Sequence, residues 1–154
     1  MIKYCVQKWN ANKGKLENAL KDNRKLNTCE YKYLVQLVVK YILNDGMEHS
    51  VFYDTWDDDH ITVVDNGDWQ GTLLFIIPLK TYQPQEYDYL MTFVNYGSCS
   101  CCDTLQAIQS YDDEKPTHGQ LKDYMTLCKD IVCNIVKPFK CGWRDNEGEF
   151  DEEV

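Results

Sequence analysis

Three cysteines, two serines and a glycine share six positions, Gly97 to Cys102, in "NYGSCSCCDTLQAIQ" (residues 95–109), and the run leads directly into a helical pattern. Thiols and hydroxyls packed this closely suggest metal ligation, thiolate chemistry, or capture of an anion on the free amides that open a helix. A zinc site wants paired ligands two to four residues apart and a second pair elsewhere. Here a single residue separates Cys99 from Cys101, Cys101 and Cys102 are adjacent, and Cys128 and Cys133 lie five positions apart. Five helical residues turn a side chain by roughly 140° net, so that last pair cannot easily share an ion, and no metal is expected. Two readings remain for Gly97, Ser98, Cys99, Ser100, Cys101, Cys102 and Asp103: a site for an anionic small molecule such as a nucleotide, with a thiolate lowered by the helix start, or a turn of small residues packed under a sheet. A thiol nucleophile usually needs a histidine base. The three histidines are His49, His60 and His118, and the sequence places none of them beside the cluster.

The second candidate is acidic. From Tyr41 to Leu79 there is no Lys or Arg, yet Asp45, Glu48, Asp54, Asp57, Asp58, Asp59, Asp65 and Asp68 occur. A calcium loop starting at Asp57 would need glycine at its sixth position and glutamate at its twelfth; Thr62 and Asp68 stand there. The acids are therefore read as a solvated face or as a recognition surface. In the latter case Asp54, Trp56, Asp57, Asp58, Asp59, Asp68 and Trp69 would meet a basic protein, with aromatics as anchors and charge speeding encounter.

Charge is uneven along the whole chain. Residues 1–44 carry nine basic against three acidic side chains, residues 45–154 seven against twenty-two, within a formal charge of -9. The two parts should attract each other. The basic residues Lys13, Lys15, Lys21, Arg24, Lys25, Lys32 and Lys40 form a small set beside a large acidic surplus, which argues against a nucleic-acid interface. No P-loop, GxGxxG, HExxH or GxSxG pattern occurs, so neither a cofactor nor a catalytic set is expected.

These groups need a scaffold, and the hydrophobic pattern describes one. Leu34, Leu37, Val38, Tyr41 and Ile42 recur as one helical face, opened by a capping pair Asn27 and Glu30 and stopped by "NDG" at 44–46. "MIKYCVQKWN" predicts a short strand with Ile2, Tyr4 and Val6 on one side, followed by a helix over 13–22. "HITVVDNGDWQGTLLFIIPL" reads as a hairpin turning at Asn66-Gly67, its second strand buried on both faces, and Tyr87 to Tyr96 as a third strand with Leu90, Thr92, Val94 and Tyr96 alternating against Tyr89, Met91, Phe93 and Asn95. A short helix follows the cysteines with Leu105 and Ile108 inward. The last helix is capped by Thr117 and Gln120, presents Leu121, Tyr124, Met125, Cys128, Ile131, Val132 and Ile135, and ends near Pro138. Helices, strands and helices in separate runs predict an α+β fold: an antiparallel three-stranded or slightly larger meander over about residues 60–96, with helices on one face. Residues 1–144 form the single expected domain and 145–154 an acidic tail.

With 44% hydrophobic residues the chain should fold, and no run reaches the roughly 18 apolar residues of a membrane span. The start lacks the apolar core of a signal peptide, so an intracellular, cytoplasmic protein with its eight cysteines reduced is expected. Asp65 to Gln109, with "DNGDWQGTLLFIIP" and "YDYLMTFVNYGSCSCCDTLQAIQ", resembles small proteins carried by phages and prophages of Gram-positive bacteria. The resemblance implies a cytoplasmic setting in a host cell and, by class, a non-enzymatic accessory protein that binds a host protein, components of antiviral defence included.

Overall fold

The computed structural model describes residues 1–46 and 55–138, so Asp54 and the predicted tail 145–154 lie outside the described residues. Helix α1 (Ile2–Leu20) leads through a tight turn of helix (Arg24–Thr28) to α2 (Tyr31–Val38), which continues as a widened turn over Val39–Leu43. Strands β1 (Thr62–Asp65), β2 (Gly71–Pro78) and β3 (Tyr89–Tyr96) follow, then the short α3 (Thr104–Ile108) and α4 (His118–Cys133). The sheet is antiparallel in the order β1-β2-β3, and the class is α+β as the pattern predicts. Among the described residues no helix is long and apolar enough to cross a membrane.

Residues 2–10 are helical, where the sequence predicts a strand. The alternation of Ile2, Tyr4 and Val6 misleads because Ile2 and Val6 are exposed. The residues α1 buries are Cys5, Trp9, Asn12, Leu16 and Leu20, whose spacing of three to four marks a helical stripe extending well before residue 13. Nor do Asn27 and Glu30 form a capping pair. Glu30 precedes α2 without a side-chain cap bond, while Asn23 caps the tight turn by accepting from the Lys25 amide.

Asn27 is fully buried. Its Oδ1 accepts from the Tyr124 hydroxyl at 2.6 Å and from Gln120 Nε2 at 3.2 Å, and its Nδ2 donates to the Glu114 carbonyl at 3.2 Å. One side-chain amide thus ties the tight turn to α4 and to the loop before it. Burying it is tolerable because its polar atoms are partnered.

The end of α2 behaves as "NDG" foretells. Asn44 N–H reaches back to Val39 O and Gly46 N–H to Lys40 O, with Asp45 and Gly46 at positive φ. Lys8 Nζ pairs with Asp45 at 2.9 Å and Asn12 donates to its Oδ1 at 2.6 Å, one point where the basic and acidic parts of the chain meet.

The sheet buries one face. Phe75 lies opposite Thr92 and Ile77 opposite Leu90, all four buried, and the Thr92 hydroxyl donates to Ile131 O of α4 at 2.7 Å. Leu74 and Ile76 point to the other face and are only half-buried, so β2 is not covered on both sides. An apolar run shows that a strand is buried somewhere; how many layers cover it depends on where the helices pack. β1 and β2 are joined by five residues, 66–70, longer than a two-residue turn. Asp65 Oδ1 accepts from Gly67 N–H and Asn66 Oδ1 from Thr72 N–H. Gly67 is required there, since a Cβ would run into Gln70 O.

Helix α4 carries the predicted capping box between Thr117 and Gln120 and buries Tyr124, Leu127, Cys128, Ile131 and Val132. It stops at Cys133, before the expected end near Pro138. The chain then straightens so that Val136 exchanges two backbone hydrogen bonds with Met91 on the outer edge of β3.

Candidate functional site

The acidic turn is built by its own first residue. Asp57 Oδ1 accepts from the Asp59 amide at 3.0 Å, its Oδ2 lies 2.7 Å from His60 Nδ1, and its N–H donates to Pro78 O at 2.8 Å. Asp57, Asp58 and Asp59 can bring one carboxylate oxygen each within 4.8 Å of one another. Burial, followed by the charge of Asp59 and then a smaller contribution from Asp57, raises the Asp58 carboxyl above its ordinary range, despite opposing effects from its backbone bond and Lys40. The turn concentrates negative charge, but Asp57 is already committed to holding it.

The two predicted tryptophan anchors separate. Trp56 packs against the core; its indole donates to the Tyr4 hydroxyl at 3.4 Å, and its backbone N–H and C=O are both held by the Asn44 side chain. Trp69 stands at the far end of the hairpin, 81% exposed, beyond the four residues of β1. Four strand residues span about 13 Å, so Asp57, Asp58 and Asp59 at one end and Asp68 with Trp69 at the other are two clusters along one hairpin.

Between them runs a surface that the sequence reading missed. Val64, Leu74 and Phe93 are direct neighbours across the three strands, and Thr62, Ile76 and Met91 form the adjacent rung on the same face. Val64 is 44% and Phe93 39% exposed. The signal available in sequence was alternation within β2, masked by its continuous apolar run.

The cysteine turn is tight. Cys102 and Asp103 amides both donate to Cys99 O, at 3.1 and 2.9 Å, which folds residues 99–102 back on themselves. Asp103, buried, organises what surrounds it: Oδ2 accepts from Gly97 N–H at 3.0 Å, and Oδ1 accepts from Gln106 N–H at 2.9 Å and from the Tyr31 hydroxyl at 3.0 Å. Tyr31 in turn accepts from Leu105 N–H at 3.1 Å, and burial raises its hydroxyl so that it stays protonated. Amides that an incoming phosphate would use at the start of α3 are thus taken by the protein's own carboxylate and phenol. Asp103 is the cap, and Ser98 and Ser100 are exposed.

Gly97 is buried, and a Cβ there would lie 2.5 Å from Cys102 Sγ and 2.6 Å from Cys102 O. Gly97 and Asp103 are thus packed into the turn, while Cys99, Cys101 and Cys102 are all exposed, with Cys99 Sγ and Cys102 Sγ 3.2 Å apart. That pair has C-x-x-C spacing, a legible signal obscured by the intervening Cys101.

Beside this turn, a cleft of about 730 Å³ opens between the β1 end of the sheet and the start of α2, lined by Tyr31, Asp65, Phe75, Tyr96, Asp103 and Gln106 among others. The Tyr96 hydroxyl donates to Asp65 Oδ1 at 2.6 Å, which raises the phenol to about 12 and, together with the Gly67 amide, lowers the carboxyl. His60 lies before β1 and His118 opens α4; neither hydrogen-bonds a cysteine among the described residues, and His49 lies outside them. No protein-family model matches the chain, and no curated protein and no solved structure shows similarity to it.

Proposed function

We propose that this is a non-enzymatic accessory protein of phage type that binds a basic surface of a host protein through its β1–β2 hairpin. The observation that carries the reading is the outward face of the sheet: Val64, Leu74 and Phe93 in register, with Trp69 81% exposed at the hairpin tip. Half-exposed apolar side chains in register across three strands, with an exposed tryptophan at the hairpin tip, are what protein interfaces bury. Charge selects the partner's sign. Asp57, Asp58 and Asp59 lie at one end of the hairpin and Asp65 and Asp68 near the other, in a stretch without Lys or Arg from 41 to 79. The resemblance of residues 65–109 to phage and prophage proteins supports a host protein as partner, antiviral-defence components included.

Asp57 holds its own turn together, so the clean substitutions are the exposed Asp59→Lys, Asp68→Lys and Trp69→Ala. A host protein captured by the wild type and reconstituted with it as a purified pair should lose affinity at least tenfold with Trp69→Ala. Each lysine variant should weaken binding and flatten its salt dependence. Tyr82→Ala, an exposed aromatic in the β2–β3 connection, should bind normally. A purified partner indifferent to Trp69→Ala and to both lysines would overturn the assignment.

A further inference from the structure

The cysteine turn points to a second activity, independent of the hairpin. We propose that Cys99 and Cys102 are a reversible redox dithiol that exchanges with low-molecular-weight disulfides of the glutathione class. The sulfurs lie 3.2 Å apart on a backbone turn closed by the Cys102 and Asp103 amides on Cys99 O, so a bond at about 2.05 Å needs only about 1.2 Å of closure. Both cysteines are exposed, as attack on a disulfide substrate requires. The frame around them is stiff. Asp103 fixes Gly97 and α3 from within, and Gly97 leaves no Cβ to obstruct Cys102.

The two thiols are unequal. A hydrogen bond from Cys99 lowers the Cys102 thiol, helped by the Cys99 backbone and by Ser98, while the same contact raises Cys99. In the proposed exchange Cys102 attacks and Cys99 resolves. These assignments differ from those of a buried thiol such as Cys128, which burial pushes up to about 12.

In the first step Cys102 S⁻ attacks one sulfur of RSSR, forming Cys102–S–SR, and RS⁻ departs with the electron pair of the broken bond. Cys99 then loses its proton to solvent and attacks the Cys102 sulfur. The Cys99–Cys102 bond forms and the second RS⁻ leaves. Two protein thiols are oxidised by two electrons, and the disulfide is reduced to two thiols that take up the two protons.

The test uses the reduced full chain with oxidised glutathione at neutral pH, quenched by alkylation, followed by mass analysis of the peptide that carries residues 99–102. Wild type and Cys101→Ser should both lose two hydrogens in that peptide, reversibly with dithiothreitol. Cys99→Ser should instead accumulate one glutathione on Cys102, and Cys102→Ser should react at least tenfold more slowly than wild type. The proposal is overturned if wild type stops at glutathione adducts, if Cys101→Ser abolishes the internal bond, or if Cys102→Ser reacts at the wild-type rate.

Discussion

Asp103→Asn is the substitution that most directly probes how the cysteine turn is held. Oδ1 receives two donors, Gln106 N–H and the Tyr31 hydroxyl, and Oδ2 receives Gly97 N–H. An asparagine of the same shape keeps one oxygen and sets its NH₂ group against a backbone N–H. Flipping the amide moves the fault from Gly97 to Gln106 without curing it. Losing one hydrogen bond to a charged acceptor costs about 1.5–3 kcal/mol, and leaving the buried Gly97 donor unpaired adds to it, so the change should cost about 2–4 kcal/mol. For a chain of this length that corresponds to a fall of roughly 5–15 °C in Tm. Urea unfolding followed by far-ultraviolet circular dichroism, fitted with a common m-value, measures it. A loss below about 0.5 kcal/mol would show that the carboxylate does not carry the turn.

Asn27→Ala should cost about 3 kcal/mol in the same assay, because it removes the bonds its side chain makes with Tyr124, Gln120 and the Glu114 carbonyl, leaving Tyr124 only the Leu26 carbonyl and Gln120 only the Ile108 carbonyl, whereas Tyr124→Phe should cost about 1–2 kcal/mol. Equal effects would mean that the hydroxyl alone carries the hub. Asp45 has a pH signature. Burial would raise its carboxyl, but hydrogen bonds from Lys8 and Asn12 and the charges of Lys8 and Lys15 prevail and lower it. Its folded pKa is then below the unfolded one, so its contribution is present above about pH 4 and is lost as pH falls through the folded value. Asp45→Asn should be less stable than wild type by about 0.5–1 kcal/mol at neutral pH, a figure reduced for solvent screening, and the gap should close in acid; a gap constant from pH 7 to pH 2 would refute this. Cys5 and Cys29, raised to about 11 chiefly by burial, and Cys128, raised to about 12, should be alkylated in the native protein at pH 8 far more slowly than in urea. Equal rates would show that those sites open.

What the sequence determined by itself was local. The face of α2, the alternation of Leu90, Thr92 and Val94, the Thr117–Gln120 box and the order of elements from α2 onward were legible, because each is set by neighbours within a turn of helix or along one strand. The start of α1 was misjudged for the complementary reason: three alternating residues fit a strand over a short window, and only burial of Cys5 through Leu20 fixes the helical period. Tertiary structure alone decided which polar groups go inside. Asn27 is buried because its partners Tyr124, Gln120 and Glu114 arrive from 87 to 97 positions away, and Asp103 because Tyr31 arrives from 72. It likewise uncovered one face of β2 and parted Trp56 from Trp69. The spacing of Cys99 and Cys102 was on the page, but the 3.2 Å between their sulfurs was not. That approach depends on a backbone turn clamped by a carboxylate, and the clamp exists only once β3, α2 and α3 have come together.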